Sequence, residues 1–240
     1  MRVLIISDIH ANADALNTVL QAAGSVDAVW CLGDVVGYGP DPNECITILR
    51  ALPNLVCLLG NHDAAAIGQL ALQGFNGDAR TSIEWLRDCL TAESLAFMRG
   101  LQPRREASGV TLAHASPRQP ILEYLLDSYS AAENFDFFAT DFCFVGHTHV
   151  PALFFSENNQ VSMQVPSPNT KVTLRRRCIA NPGSVGQPRD RDPRAAFAIF
   201  EDKDQTWDYV RVPYDIAAVQ ERMRRAKLPE RHISRLAGGW

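Results

Sequence analysis

The stretch Val3-Leu4-Ile5-Ile6-Ser7-Asp8-Ile9-His10 decides the reading of the fold, because four apolar residues run uninterrupted into a polar motif. A short apolar run closed by polar residues fits a strand buried on both faces. Immediately after it, Asp14 to Ala23 sets Ala15, Leu16, Val19 and Leu20 at helical spacing, and a second apolar run occupies Val26 to Leu32. Helix-compatible Asn43 to Leu52 then leads into a third apolar run, Leu55 to Leu59. The order is βαβαβ, the pattern of a mostly parallel sheet.

Working outward, residues 64–101 are mainly helix formers, with apolar positions at Ile83, Leu86, Leu90, Leu95 and Met98, and predict helices laid over the sheet. Past Gly109 short runs at Val110–Ala113, Phe142–Val145, Ala152–Phe155, Gln160–Val165, Ala195–Phe200 and Trp207–Val212 alternate with Pro, Gly, Asn and Ser clusters. That texture predicts antiparallel strands and a second sheet. A helix is expected from Asp215 to about Lys227, followed by a loose basic end. From Arg211 to Trp240 seven Lys or Arg stand against three acids, read as a solvated face.

The 240 residues are 46% hydrophobic and 21% charged, enough to bury the core of one domain spanning the chain. A formal net charge of -4 argues against a stable nucleic-acid complex, whose affinity comes from clustered Lys and Arg. Four apolar residues at the N-terminus are too few for a secretory core, and no run approaches the roughly 18 needed to span a membrane. The six cysteines show no Cys-x-x-Cys spacing and several sit in apolar runs; they read as reduced, buried thiols of a cytoplasmic protein.

Five polar segments carry the chemistry: Asp8-Ile9-His10, Gly33-Asp34, Gly60-Asn61-His62-Asp63, His114 within Leu112–Pro117, and Gly146-His147-Thr148-His149. They hold five of the six histidines, and each lies at the end of an apolar run. Ligands gather at the carboxyl ends of parallel strands, so residues far apart in sequence can meet there. On an extended chain, residues i and i+2 point to one side about 7 Å apart, close enough for Asp8 and His10 to grip one ion. The same spacing lets His147 and His149 reach two neighbouring ions. Carboxylate, amide and imidazole donors suit manganese, iron, zinc or nickel, and the absence of Cys argues against a structural zinc finger. Singly each motif is weak; five in order at strand ends are a strong joint signal.

The series resembles the calcineurin-like metallophosphoesterase superfamily, whose signature is Asp-x-His, Gly-Asp, Gly-Asn-His-Asp/Glu, a lone His and Gly-His-x-His. Further stretches, Gly33 to Pro42, His114 to Pro117, Gly146 to Pro151 and Asn181 to Asp190, are similar to its small prokaryotic phosphodiesterase-like branch. The resemblance implies two packed mixed β-sheets flanked by helices, in four α/β/β/α layers. It also implies two divalent cations, with manganese favoured. Asp8, His10, Asp34 and His149 would hold the first, and Asp34, Asn61, His114 and His147 the second. His62 would not be a ligand; it would contact the phosphoryl group or protonate the leaving oxygen.

Two such cations turn a water between them into hydroxide at neutral pH and clamp phosphoryl oxygens during in-line displacement. The expected activity is therefore hydrolysis of a nucleotide or other small phosphodiester. A phosphomonoesterase, a dinucleoside polyphosphate hydrolase and a non-catalytic metal-binding scaffold are the alternatives. Phosphoprotein phosphatases of the superfamily carry Gly-Asp-x-x-Asp-Arg-Gly, where this chain has Gly37 and Tyr38 at the Asp and Arg positions. That departure leaves His62 without its orienting carboxylate, and leaves the missing positive charge to Arg118, Arg189 or Arg191.

Overall fold

The computed structural model describes residues 1–158 and 160–240. The first half contains β1 (Arg2–Ile6), α1 (Ala13–Ala23), β2 (Ala28–Cys31), α2 (Pro42–Arg50), β3 (Leu55–Cys57), α3 (Asn61–Ala66), α4 (Gly77–Cys89), α5 (Ala92–Arg99), β4 (Arg104–Ala107) and β5 (Val110–Ala113). The second half contains α6 (Ser128–Ala132), β6 (Phe142–Phe144), β7 (Ala152–Glu157), β8 (Gln160–Gln164), β9 (Thr170–Thr173), β10 (Cys178–Asn181), β11 (Ala195–Glu201), β12 (Thr206–Val212), α7 (Ile216–Arg225) and α8 (Glu230–Gly238).

Two six-stranded mixed sheets result, ordered β3-β2-β1-β11-β12-β9 and β4-β5-β6-β10-β7-β8. The βαβαβ head forms as expected, with β1, β2 and β3 parallel. The mixed sheets that the resemblance implies form, while the second half departs in two ways from the separate antiparallel sheet that its strand pattern suggests. Strands β11 and β12 extend the first sheet, β11 running antiparallel to β1 and β9 closing the edge beyond β12, instead of joining a separate one. Strand β6 pairs parallel with both β5 and β10, so the second sheet is not purely antiparallel.

The sheets face each other across Val3, Ile5, Trp30, Phe144, Phe155, Phe200 and Trp207, all buried. Trp207 is fully buried, with its ring centroid 4.9 Å from that of Phe144. Removing so large a side chain leaves a cavity that the flanking strands cannot close. Trp207→Ala is expected to cost about 3–5 kcal/mol, read as a lower urea midpoint; a shift worth under about 1 kcal/mol would contradict the packing.

The outer face of the first sheet is covered by α1, α2, α4 and α5, with Leu16, Val19, Leu49, Leu86 and Met98 in one buried cluster. Asn12 caps α1 by accepting a hydrogen bond from the Ala15 amide at 3.1 Å. Helix α6 lies over the second sheet. The C-terminal end is not loose: after α7 the chain turns into α8, and Val219, Met223, Leu228, Ile233 and Leu236 form a buried cluster that also touches Trp85 of α4. All six cysteines are free, and five are buried. No helix among the described residues is long and apolar enough to cross a membrane.

Candidate metal centre

All five motifs leave the carboxyl ends of strands: β1, β2 and β3 in one sheet, β5 and β6 in the other. The β1–β2 register sets Ile6 beside Cys31, and the Asp8 amide donates to Gly33 O at 3.0 Å while the His10 amide donates to Asp34 O at 3.0 Å. The expected extended geometry for Asp8 to His10 is not what forms. Asp8, His10, Asp34, His147 and His149 have φ of 54°, 49°, 52°, 64° and 61°, the left-handed region that non-glycine residues avoid. Each such residue costs on the order of 1–3 kcal/mol. The tight turns bring side chains together that an extended strand would hold about 7 Å apart.

The two carboxylates share one pattern. Asp8 Oδ2 accepts from the His147 amide at 3.0 Å and Asp34 Oδ1 from the His62 amide at 2.8 Å, which fixes each group. Their other oxygens, Asp8 Oδ1 and Asp34 Oδ2, are buried with no hydrogen-bond partner among the described residues. Gly60 makes room for this, since a Cβ there would lie 2.0 Å from Asp34 Oδ1.

The imidazoles are set as acceptors. His10, His114 and His149 direct Nδ1 at the carbonyls of Val36, Leu32 and Gln187, at 3.2, 2.8 and 2.6 Å. A carbonyl can only accept, so Nδ1 carries the proton and Nε2 presents a lone pair. The Nε2 atoms of His10 and His149 then face each other at 3.0 Å, an arrangement that calls for a cation. Asp8, His10, Asp34 and His149 bring one donor atom each within 4.8 Å of one another; so do Asp34, His114 and His147, and Asp34 belongs to both groups. Asn61 completes the second group, its Oδ1 3.1 Å from His114 Nε2. Every residue expected to be a ligand is brought into these two clusters.

Burial drives the titration here. It raises the Asp8 carboxyl to about 7 and Asp34 well above the carboxylate range, and it holds His10, His147 and His149 well below 6.5. Neutral imidazoles are the form that binds metal, and cations would return the carboxylates to their charged form. Unpartnered carboxylate oxygens facing bare imidazole nitrogens fit divalent cations.

His62 lies beside both clusters, also kept neutral by burial. Its Nδ1 has no partner among the described residues, so no carboxylate replaces the missing orienting Asp. Packing orients the ring instead: Tyr38, His10 and Phe75 surround it at centroid distances of 4.3, 5.0 and 5.2 Å. Gly37, at φ 104°, admits the ring; a Cβ there would sit 2.7 Å from His62 Nδ1. Gly37→Ala is expected to destabilise the fold by about 1–3 kcal/mol through overpacking and to displace His62, read as a lower melting temperature together with reduced phosphoester turnover.

Asp63 has a structural task that the sequence did not disclose. Fully buried, it accepts from the amides of Val35, Val36 and Gly60 at 3.3, 3.0 and 3.0 Å and so ties the second and third motifs together. Of the three candidate arginines, Arg118 pairs with Glu123 and Glu133, and Arg191 is exposed. Arg189 faces the site, donating to Tyr38 Oη at 3.3 Å. A cavity of about 490 Å³ opens beside the clusters, walled by Asn61, His62 and His147 and by the rings of Tyr38, Phe75 and Tyr124.

Comparison with known proteins agrees with this geometry. The chain belongs to the calcineurin-like phosphoesterase superfamily, whose domain model matches residues 1–205. Membership makes it a metal-dependent phosphoester hydrolase by class. A metallophosphoesterase from Sphaerobacter thermophilus is 47% identical with a TM-score of 0.92, over 100% of this chain and 99% of that one. An uncharacterised protein of Methanocaldococcus jannaschii is 37% identical over 95% of this chain and 94% of its own. A symmetrical bis(5'-nucleosyl)-tetraphosphatase of Erwinia tasmaniensis is 35% identical over a shorter span, 36% of this chain and 38% of its own.

Proposed function

We propose that the chain hydrolyses a nucleotide or other small phosphodiester at two divalent cations. One is held by Asp8, His10, Asp34 and His149, the other by Asp34, Asn61, His114 and His147. The observation that carries this reading is the pair of buried, unpartnered carboxylate oxygens, Asp8 Oδ1 and Asp34 Oδ2, surrounded by imidazole lone pairs. The mixed oxygen and nitrogen donor set favours manganese, with iron, zinc or nickel as alternatives. Bound there, the cations would supply an acidified water and charge stabilisation at phosphorus.

The remaining chemistry belongs to side chains. The water oxygen bonds to phosphorus, the ester P–O bond opposite it breaks, and the departing oxygen needs a proton. His62, lining the cavity and neutral, donates a hydrogen bond from a ring N–H to that oxygen, and solvent supplies the proton. Tyr38, Phe75 and Tyr124 offer flat apolar faces to a nucleobase, which supports a nucleotide over a simple phosphate. The partial likeness to bis(5'-nucleosyl)-tetraphosphatases supports a second reading, hydrolysis of a dinucleoside polyphosphate.

Because burial keeps Asp8 protonated up to about pH 7, metal uptake displaces its proton. Manganese affinity is expected to weaken roughly tenfold for each pH unit below 7 for that group alone, and a titration showing no proton release would contradict it. The deciding assay compares bis(p-nitrophenyl) phosphate with p-nitrophenyl phosphate on chelator-stripped protein with Mn²⁺ restored. Metal-dependent turnover favouring the diester is expected. Monoester preference would make it a phosphatase, and two bound metals with no turnover of either would point to a scaffold.

A further inference from the structure

Arg189 and Arg235 stand together beside the metal centre without an acidic partner. Within the same stretch of chain, Arg194 pairs with Asp192 and Arg211 with Asp190, but no carboxylate lies within salt-bridge distance of Arg189 or Arg235 among the described residues. Both guanidinium groups converge on one neutral acceptor, Gln187 Oε1, Arg189 Nη2 at 3.0 Å and Arg235 Nη1 at 3.5 Å. Three further donors at this spot, Arg189 Nε, Arg235 Nε and Gln187 Nε2, are buried with no acceptor among the described residues. Buried donors are normally matched, so three that lack an acceptor beside two guanidinium groups that share one amide oxygen describe a place built for an anion.

Its position says which anion. The Gln187 carbonyl accepts from His149 Nδ1 at 2.6 Å, and the Arg189 amide donates to His149 O at 3.3 Å. The pair is thus bolted to the His149 side of the centre, while the aromatic cavity is walled by His147 and Asn61. Tyr38 borders both, contacting Arg189 on one hand and His62 on the other. Helix α8 brings Arg235 in, held by His232, whose Nδ1 lies 2.9 Å from Ser82 Oγ and whose ring packs on Tyr38 at 4.6 Å. Trp240 covers the far face of Arg235 at 5.4 Å. Burial and the neighbouring Arg189 charge hold the Arg235 guanidinium below its ordinary pKa, with Tyr38 and Asp78 of α4 acting against them. Planar guanidinium forks match phosphate oxygens two at a time.

We infer that Arg189, Arg235 and Gln187 form a subsite for a second phosphate of the substrate, beyond the one that is cleaved, so that the preferred substrate is a nucleoside polyphosphate rather than a simple diester. The inference rests on the phosphoester-hydrolase reading of the adjoining centre. Arg235 lies beyond residue 205, the last position matched by the family model, so this part of the site belongs to the C-terminal hairpin.

The test measures kcat/KM for p-nitrophenyl thymidine 5'-phosphate, with one phosphate, and for diadenosine tetraphosphate, on the manganese-loaded full chain. Wild type is compared with Arg235→Gln and Arg235→Lys. Losing a charged hydrogen-bonding partner should lower the polyphosphate value roughly 10- to 100-fold more than the single-phosphate value, mainly through KM, and the Lys variant should recover part of it. Equal losses on both substrates, or no loss, would overturn the subsite. Tripolyphosphate titrated calorimetrically into chelator-treated protein separates the two readings. Binding lost in Arg235→Gln supports the subsite even if neither ester is turned over, whereas turnover of the diester with no such binding leaves the hydrolase and removes the subsite.

Discussion

Asp34→Asn is expected to lower phosphodiester turnover by ~10⁴-fold or more, because it removes the one charge shared by both ligand clusters. The substitution is nearly isosteric, and the new amide can still accept the His62 amide hydrogen bond that Asp34 Oδ1 accepts now. What it takes away is the anionic Oδ2, which lies 3.6 Å from both His10 Nε2 and His114 Nε2. With the bridge neutral, two cations would repel each other across the site with no negative charge between them. Metal analysis should therefore show fewer than two manganese ions per chain, in a protein that still folds. A variant that keeps two tightly bound metals and near-normal turnover would remove Asp34 from its assigned place.

The second large effect is on His62. Its truncation to Ala should reduce turnover by about 10²–10⁴-fold while leaving metal content unchanged, since His62 belongs to neither donor group. The loss should depend on the leaving group. A p-nitrophenolate departs with little help, so the smaller factor is expected there; a nucleoside or alkyl oxygen leaves as a strong base and needs the hydrogen bond that the ring donates. If the loss were the same across leaving groups, His62 would be binding the phosphoryl oxygens instead. If metal content fell as well, the ring would be supporting the clusters and not the reaction.

Much of this centre was legible in the chain because its parts are local. A strand is written in a few apolar residues, and the polar motif at its end follows directly, so Asp8, Asp34, Asn61, His114 and His147 could be placed at strand ends one by one. What escaped depends on long-range pairing or on backbone shape. Strand β4, Arg-Arg-Glu-Ala, has no strand-like pattern of its own and exists because it pairs with β5. Strands β11 and β12 read as part of a second sheet, yet β11 pairs with β1, nearly two hundred residues earlier, and carries β12 into the first sheet with it. The left-handed turns at Asp8 and His149 leave only a faint mark in the residue types, because Asp and His tolerate that region better than most side chains yet seldom adopt it.

The tail shows the same limit from the other side. Arg231 and Arg235 among Ile233 and Leu236 read as a solvated basic end, because nothing in α8 alone reveals that α7 offers it an apolar face. Arg189 was one of three equal candidates until the fold gave Arg118 two acidic partners and left Arg191 in water.

Each donor group draws on both sheets: Asp8, His10, Asp34 and Asn61 follow strands of the first, while His114, His147 and His149 follow strands of the second. An ion seated in either group would act as a rivet through the sandwich at one edge. Sliding or prying the sheets apart would then require metal release, so the exchange of amide hydrogens in the central strands should keep pace with the loss of bound ion. In a cell short of metal, the same chain would be easier to open and to digest before any of its chemistry was tested.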